Sequence, residues 1–225
     1  MERQPAENGQ YIDNGLSVWL DCNDLIANTW IDKIQNLPFT IKNADEYIST
    51  NGVFFTGENE TKIYSDSIPI LMGNGFTVEI RIHDFNPIGR NAGRILCTAN
   101  SNIYNSPNLC YFNNWNTLFG FGVQTWGNMR FSSGIKENFP QSFTIAMSED
   151  SVGNTSIYNN GDLIASGIIQ PPTMAKIICI GGWPMESSKD EQISGLIKSL
   201  RLYDRILEED EIKMNYQTDI TLFGG

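Results

Sequence analysis

Between Gly195 and Tyr216 the hydrophobic period changes once. Leu200 and Leu202 fall on one side of an extended segment, and Ser199, Arg201 and Tyr203 on the other, which is the period of a half-buried strand. Lys198 shares the parity of the apolar side, so it is expected at the strand's end, where its ammonium reaches water. Past Arg205, the spacing of Ile206, Leu207, Ile212, Met214 and Tyr216 reads as a short helix over 208–216. Its first turn holds Glu208, Glu209, Asp210 and Glu211, where carboxylates meet the positive end of the helix dipole. A helix that short is not stable alone in water, so the rest of the chain must give it a surface to pack on.

The rest of the chain reads as strands. The clearest alternation is Phe76–His83, with Phe76, Val78, Ile80 and Ile82 toward a core and Thr77, Glu79, Arg81 and His83 toward solvent. Leu16–Asp21 alternates and reads as the first strand, and Trp30 is expected in the core. Short strands are expected at 38–41, 52–55, 61–64, 94–98, 108–112, 117–123, 128–131, 142–148, 154–158, 163–165 and 176–180, separated by Asn, Asp and Gly turns. Asn159-Asn160-Gly161-Asp162 is a hairpin turn, because Asn and Gly tolerate positive φ. Gly120 and Gly122 alternate with Phe119, Phe121 and Val123, as at a tight bend or a close approach of another backbone.

In this order the segments resemble laminin-G-like, concanavalin-A-like jelly-roll domains. The closing motif of that family is matched by Gly195, Ile197, Arg201, Tyr203, Arg205, Leu207, Glu211 and Ile212. Its opening strand is matched by Leu16–Asp21, its Trp-x-Asp segment by Trp30 and Asp32, and its hairpin by Ile157-Tyr158-Asn159-Asn160-Gly161-Asp162-Leu163. Gly181-Gly182 ends a strand as the family's does. The sequence departs from the pattern at Lys198, where the family often has Asp, and at Glu208, where it often has a Ser or Thr cap. The resemblance covers about 15–217. It implies an all-β, antiparallel two-sheet β-sandwich (jelly roll) with one short C-terminal helix, in which the first and last strands are neighbours. Residues 1–10 are then a flexible N-terminal arm and 11–225 the domain.

A chain of 225 residues is enough for one such sandwich. Its net charge of −11, with no basic run, argues against a nucleic-acid partner. No apolar run is long enough to span a membrane, and the polar start does not read as a secretory signal peptide. Release by cell lysis, as for a phage virion component, would place such a chain outside the cell. Cys22, Cys97, Cys110 and Cys179 show no CxxC spacing, which speaks against structural zinc. They read as buried thiols, with a Cys97–Cys110 bridge across a hairpin as the alternative.

No Glu-x-Asp-x-x-Glu strand, which would place the paired carboxylates of a glycosidase on one face, is present. His83 reads as a surface residue with no Gly-x-Ser-x-Gly elbow to serve it, and Glu149-Asp150 as part of a loop. The chain is therefore expected not to be an enzyme, with a divergent glycoside hydrolase as a distant alternative. No cofactor is expected. The resemblance implies that calcium could be bound, and Asp21-Cys22-Asn23-Asp24 is the best local cluster of hard oxygens for it.

Glycan binding needs aromatic faces beside amide and carboxylate partners. Tyr104, Asn114, Trp115, Trp126 and Trp183 are the candidates, the competing reading being that the tryptophans plug the ends of the sandwich. The resemblance implies a non-catalytic, lectin-like recognition module on a phage virion or cell surface, with a glycan or surface protein as partner. A structural decoration or fibre subunit, packed on virion partner chains or on further copies of itself, is the alternative.

Overall fold

The computed structural model describes residues 10–42, 48–49, 51–56, 62–65, 74–86, 92–99, 108–115, 118–124, 130–134, 142–169, 177–182 and 193–225. In chain order the strands are β1 (Leu16–Asp21), β2 (Leu25–Ile26), β3 (Thr29–Ile31), β4 (Pro38–Lys42), β5 (Ile48–Ser49), β6 (Gly52–Thr56), β7 (Lys62–Ser65) and β8 (Phe76–Asn86). They continue with β9 (Ala92–Ala99), β10 (Asn108–Trp115), β11 (Leu118–Gln124), β12 (Arg130–Ser132), β13 (Ser142–Glu149), β14 (Asn154–Asn159), β15 (Asp162–Ile168), β16 (Ile177–Ile180) and β17 (Ser194–Tyr203). One helix, α1 (Glu209–Phe223), follows.

The strands form two antiparallel sheets. One has eight strands in the order β15-β14-β13-β8-β17-β6-β5, with β1 also on β17. The other has nine, in the order β12-β11-β10-β9-β16-β7-β4-β3-β2. β17 is the hinge of the first sheet. β8 pairs along its length, while β6 takes Ser194–Ile197 and β1 takes Ser199–Tyr203. First and last strands are thus neighbours, as the closing motif implied.

Period-two patterning sets the core. Phe76, Val78, Ile80 and Ile82 of β8, Phe143, Ile145 and Met147 of β13, and Leu200 and Leu202 of β17 face the other sheet's Phe39, Ile41, Ile63, Leu109, Tyr111, Phe121 and Val123. Phe143 joins the two layers: its ring centroid is 5.2 Å from Phe85 and 5.1 Å from Phe121. Each such ring contributes roughly 1.5–3 kcal/mol by leaving water. Trp30 is fully buried, and its Nε1 donates to the Asp21 carbonyl. Asp32, two residues on, accepts from the backbone N–H groups of Trp19, Ile34 and Gln35, fastening the turn after β3 to β1. The Asn160-Gly161 hairpin has positive φ at both residues (54° and 86°), as expected.

Three expectations change. The helix runs to Phe223 rather than ending near Tyr216. Its packed face carries Asn215, Thr218 and Asp219, so apolar periodicity could not trace it. Its start is fixed by Glu211, whose carboxylate accepts from the Glu208 backbone N–H at 2.9 Å. Lys198 lies inside β17, not at its end. The register to β8 shifts between Ile197 and Ser199, so a bulge takes Lys198 out of the alternation. Glu149 is the last residue of β13 and is buried on its core-facing parity, not in a loop.

Gly181 shows why a glycine ends β16. Its φ is +82°, and a Cβ there would stand 2.0 Å from the Phe55 ring.

Candidate functional site

The two outer faces of the sandwich differ. On the eight-stranded sheet, Thr77, Glu79 and Arg81, expected in solvent, are instead fully buried beneath α1. The face is polar as the alternation predicted, but the helix and residues 10–12 lie over it. Arg201 is the centre. Its Nη1 and Nη2 donate to Asp219 Oδ1 and Oδ2 at 2.7 and 2.9 Å, its Nε to Glu79 Oε2 at 2.8 Å, and its Nη1 also to Ser199 Oγ at 3.1 Å. The Tyr11 ring lies 4.0 Å from the guanidinium, while the Tyr11 hydroxyl and Thr144 Oγ1 donate to Asp219. Asn215 donates to Glu79 and to the Tyr203 oxygen and accepts the Ile12 N–H.

Burial and charge set the protonation states. Burial pushes the Glu79 carboxyl up to about 7 against the pull of Arg201. Arg201 is held charged, because the adjacent carboxylates outweigh its desolvation. His83 is half-buried rather than a surface residue. Its Nε2 accepts from Arg81 Nε at 3.2 Å, and burial, then the charges of Arg81 and Lys198, push it down to about 4. Arg201, Glu79 and Asp219 at its centre have no exposed surface, and their bonds clamp α1 to the sheet.

Among the described residues, no helix lies over the outer face of the nine-stranded sheet. Since Ile63, Ile180, Leu96, Leu109 and Val123 face the core, alternation puts Tyr64, Cys179, Cys97, Asn108 and Gln124 on the opposite side. These five are cross-strand neighbours in sequence across β7, β16, β9, β10 and β11. Arg94 and Cys110 pair on the same face. Tyr64 is half-buried, Thr40 beside it on β4 is exposed, and Asn108 and Gln124 are buried. Gln124 Oε1 is buried and has no hydrogen-bond partner. A phenol and two amides in one row, with a guanidinium on the same face, have the chemistry that suits hydroxyl-rich molecules.

Of the five sequence candidates, two lie on a described strand. Asn114 and Trp115 are the last residues of β10; their side chains, and all of Tyr104, Trp126 and Trp183, lie outside the described residues. The strand ends that flank Tyr104 and Trp126 (Ala99, Asn108, Gln124, Arg130) share one end of the sheet, whereas β10 runs toward the other. Tyr64 and Gln124 were not among the sequence candidates; their signal was polar parity within apolar strands.

At Asp21–Asp24 a lysine takes the position a cation would fill. Lys33 Nζ is 3.1 Å from both Asp21 Oδ2 and Asp24 Oδ2. Among the described residues no group of three His, Cys, Asp or Glu is arranged to hold a metal ion. Nor is any helix among them long and apolar enough to cross a membrane. Glu149 is a different case. Both its oxygens are buried without a hydrogen-bond partner, and burial, aided by Asp150, pushes its carboxyl up to about 8.

No protein-family model and no curated protein matches this chain. Solved structures do. The sialidase of Trypanosoma rangeli in complex with sialic acid is similar over 93% of this chain and 34% of its own, at 15% identity and a TM-score of 0.69. The binding domain of botulinum neurotoxin serotype D is similar over 92% of this chain and 52% of its own, at 16% identity and a TM-score of 0.65. The same serotype's ligand-binding domain in complex with N-acetylneuraminic acid matches at 16% identity and a TM-score of 0.64. The chain therefore spans about a third of the sialidases and about half of the toxin domains. At these identities the likeness establishes the all-β sandwich. It also corrects the expectation that the chain is not an enzyme: sialidases are enzymes and stand among the structures that share this fold.

Proposed function

We propose that this chain is a lectin-like carbohydrate-recognition domain of laminin-G-like type, displayed on a virion or a cell surface. The observation that carries the reading is the likeness of nine-tenths of the chain to a toxin domain solved with N-acetylneuraminic acid bound. Two features of the molecule support it. The outer face of the eight-stranded sheet is covered by α1, and the other outer face carries the half-buried Tyr64 in one row with the buried Asn108 and Gln124. Display needs a carrier, and in this reading it is a virion partner chain, a surface protein or further copies of this chain. The laminin-G-like assignment rests on the closing motif from Gly195 to Ile212.

The test is a panel of immobilised glycans, including chains that end in N-acetylneuraminic acid, read with the wild type and with Tyr64→Ala, Trp115→Ala and Trp126→Ala. The expected result is saturable binding that at least one substitution weakens about tenfold, the equivalent of roughly 1.4 kcal/mol. Failure of the wild type to bind any member at millimolar concentration overturns the reading.

A further inference from the structure

Cys97 and Cys179 are direct cross-strand partners. The antiparallel register of β9 and β16 runs Ala99 to Ile177, Thr98 to Ile178, Cys97 to Cys179 and Leu96 to Ile180. Leu96 and Ile180 both belong to the core, so alternation places both cysteines on the outer face, side by side. Both are fully buried, and all four cysteines of the chain are thiols in this structure. Residues directly opposite in an antiparallel pair have Cα atoms about 4.5 or 5.5 Å apart, and disulfides span about 4.4–6.8 Å. The Cα spacing of either pairing class lies within that range, and the Cβ atoms, about 4.5–5.5 Å apart in such pairs, need only a small approach to reach the roughly 3.5–4.5 Å of a disulfide.

The other cysteines are less well placed. Cys97 faces Asn108 on β10, which leaves Cys110 two residues further on, diagonal to it and opposite Arg94. The hairpin bridge between Cys97 and Cys110 that the sequence left open is thus the poorer geometry. Cys22 sits in the turn after β1, beside Asp21.

We propose that Cys97 and Cys179 form a cross-strand dithiol that closes to a disulfide on exchange with a small-molecule disulfide such as oxidised glutathione. One cysteine thiolate attacks a glutathione sulfur, giving a mixed disulfide and releasing one glutathione thiolate. The second cysteine thiolate then attacks the protein sulfur of that mixed disulfide and releases the second glutathione. The protein loses two electrons and two thiol protons, and one glutathione disulfide becomes two glutathione thiols. Burial of both sulfurs means that the first step waits on a local opening of the sheet, so the exchange is slow in the folded chain. The inference rests on strand register alone and is independent of the glycan reading.

The experiment incubates the folded full chain with excess oxidised glutathione, quenches in acid, alkylates the remaining thiols and maps the peptides by mass spectrometry. The expected product has lost two hydrogens, contains a Cys97–Cys179 linked peptide, carries alkyl groups on Cys22 and Cys110, and reverts with dithiothreitol. The Cys110→Ala variant is expected to give the same link. A Cys97–Cys110 link, a lasting glutathione adduct on Cys97, or four alkylated cysteines after long exposure overturns the proposal.

Discussion

Arg201 of β17 meets Asp219 of α1 through two parallel N–H···O bonds of 2.7 and 2.9 Å, and neither side chain has any exposed surface. Buried pairs of this kind gain little over an apolar pair but are costly to break singly. Arg201→Met leaves Asp219 and Glu79 buried without their cation. It is expected to cost about 3–5 kcal/mol, read as a lower urea midpoint. Adding Asp219→Leu should recover part of that loss. A double variant whose loss is the plain sum of the two single losses would show that the pair is not coupled.

Glu149 gives stability a pH dependence. Its folded pKa of about 8 lies above the ordinary carboxylate value, so the folded state holds the proton more tightly than the unfolded state. Its contribution is complete below about pH 4 and is lost progressively as the pH rises through 8. Glu149→Gln keeps the shape without the charge and should be more stable than wild type at pH 9, on the order of 3 kcal/mol, and nearly equal to it at pH 4. Guanidinium melts at both pH values make the comparison; a constant difference would contradict it.

His83 works in the opposite window. Its folded pKa of about 4 lies below the ordinary imidazole value, so the unfolded state takes up a proton first as the pH falls. Stability is retained above about 6.5 and lost between there and 4. His83→Asn should flatten that acid limb by on the order of 1–2 kcal/mol, the half-burial of the ring reducing the effect. Thermal midpoints at pH 7 and pH 5 suffice to see it.

Gly181→Ala tests the seating of the Phe55 ring. The new Cβ would stand 2.0 Å from that ring on a residue with φ of +82°. Both the overlap and the backbone conformation oppose the change, for a loss of about 2 kcal/mol or more. Combining it with Phe55→Leu should relieve the overlap and leave the backbone cost, so the pair should be less than additive in thermal unfolding. Full additivity would place the ring elsewhere.

The strands were legible because each carries a period of two over a core of large apolar residues, as Phe76, Val78, Ile80 and Ile82 show. Parity on β8 and β17 was also legible. What lay opposite that parity was not: Glu79, Arg81 and Arg201 read as solvated because a polar outer face looks the same to the sequence whether water or a polar helix covers it. The clue was on the helix, where Asn215, Thr218 and Asp219 fall at spacings that share one side of a helix. The bulge at Lys198 left no trace in composition, since an extra residue changes register without changing residue type. The aromatic candidates were chosen for chemistry alone, and strand order sends their flanking segments to different ends of one sheet.

The hydrogen bond from Tyr11 to Asp219 joins residues 208 positions apart. During synthesis, every residue between them must therefore emerge before this bond can form. Until α1 emerges from the ribosome, Glu79, Arg81 and Arg201 keep their water, and the sheet that they stand on is open to other chains. Docking of the helix then removes three charges from solvent together. That step ties the burial of the β8 and β17 charges to the arrival of α1.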